Sequence, residues 1–174
     1  MNTAKPILGF AAFSGTGKTT LLEKLIPQLL EQGIRIAMVK HAHHAFEVDK
    51  PGKDSYRLRK AGAQQMLIAS DQRMALMTEN STPQEPRLDE LITRLELETV
   101  DLILVEGFKR VPFAKIELHR EALGKTLLHP DDPAIIAIAC DHPLDAGTLP
   151  VLDINDTRAI AVFIIRWLQQ QEET

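Results

Sequence analysis

Short, mainly apolar runs alternate along the chain with segments in which apolar residues recur every three or four positions. Ile7 onward, Ile34 to Val39, Leu102 to Val105, Ala114 to Leu118, Ile135 to Ala139 and Val151 to Ile154 are the runs. Their length and β-branched content predict strands. Between the first two, Leu21, Leu22, Leu25, Ile26, Leu29 and Leu30 are spaced for a helix from Thr19 to Gln32, stopped by Gly33. Pro27 removes one backbone bond and should bend that helix rather than divide it. Strand, helix and strand in this order form a βαβ unit, hence a parallel sheet with a right-handed crossover.

The same periodicity predicts a short helix through Leu88, Leu91, Ile92 and Leu95. It also predicts a last one through Ile160, Phe163, Ile164, Trp167 and Leu168, capped by Asn155 or Asp156. Asp54 or Ser55 is a candidate cap for a helix running through Tyr56, Leu58 and Lys60 to Gly62. Gln65 to Ala69 and Arg73 to Thr78, joined by Ser70-Asp71-Gln72, read as an antiparallel hairpin, and Asn80 to Arg87 as a loop. The expected architecture is α/β: a mostly parallel sheet flanked by helices, with an antiparallel hairpin excursion. One domain over 1–174 is expected, with a small hairpin and loop subdomain around 63–86.

Composition narrows the function. A chain of 174 residues with a net charge of −4 has no surplus of cations for wrapping nucleic acid. Cys140 is its single cysteine and lies beside an apolar run, so no intrachain disulfide forms and a reducing compartment fits. No run approaches the ~18 apolar residues of a membrane span, and no basic segment leads into an apolar one at the start. A cytoplasmic protein that acts neither on membranes nor on nucleic acid is expected.

The chemistry begins where the first strand breaks into Phe13-Ser14-Gly15-Thr16-Gly17-Lys18-Thr19-Thr20. Glycines let successive backbone N–H groups turn inward around a phosphate, and the helix that follows adds its positive end. Ser14, Gly15, Thr16, Gly17, Lys18, Thr19 and Thr20 are therefore candidate nucleotide-binding residues, with Lys18 on the outer phosphates and Thr19 on Mg²⁺. The full phosphate-loop pattern has a glycine where this chain has Ala12, a small residue that the turn tolerates at negative φ.

Three further groups sit beyond strand ends, the ligand edge of an open α/β sheet. Lys40-His41-Ala42-His43-His44, followed by Asp49 and Lys53-Asp54, is polar and charged. Its histidine spacing matches none of the common zinc patterns, and no cysteine is near. A ligand-binding loop is preferred over a merely solvated one, with Asp49 or Asp54 near the Mg²⁺ hydration shell. Asp101 to Lys109 describes a buried strand that delivers Glu106, which can bind Mg²⁺ directly or through water, or orient a nucleophilic water. Lys109 and the helix cations Arg57 and Arg59 are placed to meet an anionic second ligand, although cations on a helix also serve simply as a solvated face. Asp141 and Asp153 are candidates to hold a guanine base.

These motifs, in this order, with Arg59-Lys60-Ala61-Gly62-Ala63 and Leu152-Asp153-Ile154-Asn155-Asp156, resemble the MobB family of molybdopterin-guanine dinucleotide biosynthesis adaptor proteins. The resemblance covers nearly the whole chain. It implies a P-loop NTPase-like fold and a cytosolic, dimeric GTP-binding protein that assists the guanylyltransferase attaching GMP to molybdenum-bound molybdopterin. It implies GTP and Mg²⁺ as ligands, weak GTPase activity at most, and phosphates held by Gly15 to Thr20 with Thr19 and Glu106 near the metal. His41, His43, His44, Lys53, Asp54, Arg59 and Lys109 then face the pterin phosphate or the partner enzyme. Two other classes share these motifs. One is an ATP-dependent small-molecule kinase or ligase, and the other is a metallochaperone GTPase that loads a metal onto the histidines.

Overall fold

A computed structural model describes residues 3–42 and 46–172, without the side chain of residue 172. The chain forms two compact units. One is the chain up to His41 together with the chain from Arg87 onward, and the other is Ala42–Pro86.

The larger unit is a six-stranded sheet of β1 (Ile7–Ala11), β2 (Ile36–Lys40), β5 (Leu102–Glu106), β6 (Lys115–His119), β7 (Ile135–Cys140) and β8 (Val151–Asp153). The order is β2-β5-β1-β6-β7-β8 and every pairing is parallel. β1 and β2 thus share the sheet without being neighbours, because β5 lies between them. Alternating residues feed the two faces. Leu8, Phe10, Leu102 and Leu104 pack under α1 (Lys18–Glu31) and α4 (Thr157–Glu172), against Leu22, Leu25, Leu29, Ile160 and Ile164. Ile7, Ile103 and Val105 pack on the other face with Leu88 and Ile92 of α3 (Leu88–Ile92). A sheet covered on both faces accounts for strands that read as unbroken apolar runs.

The helices differ in detail from their sequence patterns. α1 begins at Lys18 and runs through Pro27 as one helix to Glu31, with Gly33 (φ +81°) following as its stop. Asp156 caps α4, accepting the Ala159 N–H at 2.9 Å.

The smaller unit holds α2 (Asp54–Lys60) and a hairpin of β3 (Gln65–Ala69) and β4 (Met74–Thr78), paired antiparallel from Gln65 opposite Thr78 to Ala69 opposite Met74. Asp54 and Ser55 do not cap α2. The helix starts on Asp54 itself, and Lys53, which makes no side-chain cap bond, occupies the cap position. Arg59 is the hub of this unit: its guanidinium meets Asp49 at 2.6 Å and also pairs with Glu47 and Glu79. A guanidinium almost removed from water is tolerated because three carboxylates meet its donors.

Candidate functional site

Register in a parallel sheet brings strand ends to one edge. Phe10 lies opposite Glu106, and Glu106 opposite Lys40. The loop that leaves β1, the carboxylate that ends β5 and the ammonium that ends β2 are therefore neighbours, although they are remote in sequence.

Within the loop, Gly15 (φ +83°) and Gly17 (φ +94°) hold left-handed conformations open to glycine, and Gly17 is the cap residue of α1. Thr16 is buried, and its hydroxyl donates to the Phe13 carbonyl at 2.8 Å. Lys18 reaches back across the loop. Its hydrogen bond, to the Ala12 carbonyl, is long at 3.5 Å, and among the described residues no carboxylate forms an ion pair with it. Burial lowers its pKa, opposed by the Glu106 charge and reinforced by Lys109 and Lys40. Ser14, Gly15, Thr19 and Thr20 are exposed at the same loop. A partly desolvated ammonium at a glycine loop that opens a helix is a donor set suited to an anion. A phosphate fits this donor set.

Glu106 Oε2 accepts from Lys40 Nζ at 3.2 Å. Behind it the chain turns sharply through Gly107 (φ +95°) and Phe108 (φ +52°). The His41 N–H donates to the Glu106 carbonyl at 2.9 Å, and the His41 ring stacks on Phe108 at 4.9 Å. Lys109 Nζ sits 5.0 Å from the centre of the Phe13 ring, a cation–π contact at the root of the loop. The Thr19 hydroxyl and the Glu106 carboxylate are oxygen groups of the kind that could hold Mg²⁺, and a divalent ion at Glu106 would compete with Lys40.

Asp141 and Asp153 end up differently engaged. Asp141 accepts from the Glu121 N–H at 3.1 Å, from Arg120 at 3.3 Å, and lies 3.3 Å from His142 Nδ1. The Glu121 N–H first, then His142 and Arg120, hold its carboxyl down, to about 2. Its contribution to stability is thus complete above the ordinary carboxylate pKa and is lost as pH falls through about 2. The Asp153 carboxylate accepts only the Asn155 N–H, at 2.8 Å, among the described contacts. A cavity of about 310 Å³ is lined by both aspartates and Asn155. A second of about 190 Å³, against the first turn of α1, is lined by Gly17, Thr20, Lys24, Arg120 and Asn155.

Asp49, Lys53, Asp54 and Arg59 belong to the smaller unit. Asp49 Oδ1 is engaged by Arg59, which lowers its pKa, and Asp54 is almost fully exposed, 3.7 Å from Arg57. His43 and His44 lie outside the described residues. Among those described, no three metal-ligating side chains gather into a metal site.

Sequence reasoning passed over Arg120 and the pairing of Lys40 with Glu106. Arg120 opens the polar stretch that follows β6 and carries no motif of its own. The available signal was positional: Lys40, Glu106, Arg120 and Asp141 each end or directly follow a parallel strand, where ligand-facing side chains collect.

Comparison with known proteins agrees with this geometry. Residues 7–141 match the family model of molybdopterin guanine dinucleotide synthesis protein B. The chain is 51% identical over 173 residues to the molybdopterin-guanine dinucleotide biosynthesis adapter protein of Escherichia coli (strain K12), covering 97% of each. It is 47% identical over 168 residues to the protein of the same description from Haemophilus influenzae, covering 97% of this chain and 92% of that one. Among solved structures, a crystal structure of molybdopterin-guanine biosynthesis protein B superposes with a TM-score of 0.72 at 28% identity, over 92% of this chain and 99% of that one. The α/β fold is P-loop NTPase-like, and the chain belongs to the MobB family of molybdopterin-guanine dinucleotide biosynthesis adapter proteins.

Proposed function

We propose that this protein binds GTP with Mg²⁺ and acts as an adaptor to the guanylyltransferase that attaches GMP to molybdopterin. The adaptor role follows from family membership. The observation that carries the nucleotide is Lys18, a desolvated ammonium without an ion-pair partner among the described residues, set across a loop held in left-handed turns by Gly15 and Gly17. In this reading Ser14 to Thr20 hold the phosphates and Thr19 and Glu106 hold Mg²⁺. Asp153, with a free carboxylate oxygen beside the larger cavity, meets the N–H donors of guanine. His41 and Lys109, both in the larger unit, are offered to the pterin phosphate or the partner enzyme. Glu106 is paired with Lys40 rather than free as a base, which favours slow turnover: the nucleotide is held, not rapidly consumed.

Calorimetric titration with GTP and with ATP in Mg²⁺ tests the reading. GTP should bind more tightly. Preferential binding of ATP, consumed rapidly with an acceptor, would instead make the protein a kinase or ligase, and stoichiometric Zn²⁺ or Ni²⁺ uptake lost on mutating His43 and His44 would make it a metallochaperone.

The reading extends to a cytoplasmic homodimer. One face of the hairpin presents Leu67, Leu76 and Met74 to solvent, an apolar surface that a hairpin of two strands does not leave bare without cost. A second copy would cover it. Sedimentation should show a dimer that Leu76→Glu converts to monomer; a wild-type monomer at micromolar concentration would remove the dimer.

A further inference from the structure

Arg120 directly follows β6, and its guanidinium joins three segments distant in the chain. Nε donates to the Thr16 carbonyl at 3.1 Å, Nη1 to Asp141 Oδ2 at 3.3 Å, and Nη2 to Asn155 Oδ1 at 3.2 Å. The other Asp141 oxygen accepts the Glu121 N–H. The carboxylate that steadies the guanidinium is thereby anchored to the backbone beside Arg120.

We propose that Arg120 is a positioning residue that presets the phosphate loop for an anion, with Asp141 and Asn155 acting through it. The proposal rests on the nucleotide-binding reading of the loop and adds who shapes it. In a trans peptide the carbonyl and the following N–H point to opposite sides, and no cis peptide occurs among the described residues. Fixing the Thr16 carbonyl toward Arg120 turns the Gly17 N–H to the opposite side of the loop, where the ligand's phosphate is received. The glycines that permit this shape do not enforce it, since glycine has the most backbone freedom to lose. Two bonds supply the order: Thr16 Oγ1 to the Phe13 carbonyl from within the loop, and Arg120 from outside.

A loop ordered in advance does not lose that entropy when the anion arrives. The geometry also asks for arginine in particular. Only a rigid fork carries three donors toward a carbonyl, a carboxylate and an amide at once, and a lysine ammonium on a flexible stem reaches one of them well. Asp141 in this arrangement is a support for the loop, with both oxygens engaged, and not the reader of the base.

Full-length wild type, Arg120→Ala, Arg120→Lys, Asp141→Ala and the double variant are compared by GTP and ATP titration and by the Gly17 amide resonance of the ligand-free protein. Arg120→Ala should weaken GTP binding roughly tenfold or more and shift the Gly17 amide without any ligand. Arg120→Lys should not restore either. Asp141→Ala should weaken binding alone, add nothing in the Arg120→Ala background, and leave the GTP to ATP ratio unchanged. An unmoved Gly17 amide in Arg120→Ala overturns the proposal whether or not nucleotide binds. So does an Asp141→Ala variant that alters the GTP to ATP ratio in both backgrounds, because the carboxylate then reads the base. A wild type that binds no nucleotide defeats the functional reading itself, a failure separate from the amide result. Where Arg120→Ala does not fold, Arg120→Gln replaces it in the same comparison.

Discussion

Gly9→Val should lower the melting temperature by about 6–12 °C, the equivalent of about 3 kcal/mol in a chain of this size. Intrinsic preference argues the opposite way, since valine favours strands and glycine weakens them. Packing decides the sign. A Cβ on Gly9 would overlap Cε2 of Phe113 and lie 3.3 Å from Cγ of Lys115. Phe113 is buried against Ile7, Ile103 and Val105, so its ring has no empty space to retreat into. Gly9 is also at the centre of β1, between β5 and β6, and any shift is passed along the strand to the phosphate loop. Differential scanning calorimetry on Gly9→Ala, Phe113→Leu and the double variant supplies the control. The pair should be less destabilised than the sum of the singles, because each relieves the other's fault. A Gly9→Val protein as stable as wild type would show that the ring is not held against the strand.

Phe113 also illustrates what the sequence leaves hidden. Strands β5 and β7 were legible because both of their faces are covered, so Leu102 to Val105 and Ile135 to Ala139 run unbroken. β6 was visible only approximately, since Lys115, Glu117 and His119 interrupt its apolar residues. The structure buries those polar side chains under the following segment. Lys115 pairs with Asp132 at 3.0 Å, and Glu117 accepts the Leu128 and His129 N–H groups at 2.7 and 2.9 Å. Periodicity marks which residues share a face but carries no information about which segment covers them.

The candidate site divides along the same line. Local chemistry singles out the glycine loop as the candidate for phosphate, because turn geometry, glycine and helix start are all written within a few residues. Arg120 has no such signature. Its role depends on Thr16, Asp141 and Asn155 meeting at one sheet edge, and strand order decides that. The insertion of β5 between β1 and β2, which places Glu106 beside both Phe10 and Lys40, is equally a matter of topology rather than pattern. Arg59 misled in the other direction: on a helix it looks like a spare cation, yet three carboxylates of its own unit already surround it.

Lys18→Met should abolish GTP binding, by at least about a hundredfold, while the ligand-free protein becomes no less stable than wild type. The two halves of this expectation have one cause. Burial lowers the Lys18 pKa more strongly than the Glu106 charge raises it, and the Lys109 and Lys40 charges push in the same direction as burial. The folded protein therefore binds the Lys18 proton less tightly than the unfolded chain does. The sign follows: this group opposes folding while it is charged, and its contribution improves as pH rises toward its ordinary value of 10.5. Methionine keeps the apolar stem, removes the charge, and gives up only the long contact to the Ala12 carbonyl. With a bound triphosphate the balance reverses, because the ammonium then faces an anion in a partly desolvated loop, where charge-assisted bonds are strongest. Retaining a residue that is unfavourable until the ligand arrives is the trade between stability and function expected of a binding site. Thermal melting of both proteins with and without GTP separates the two halves. Wild type alone should gain stability on adding GTP. A Lys18→Met protein that melts far lower without ligand would make Lys18 a structural residue, and one that is still stabilised by GTP would move the phosphate site away from the loop.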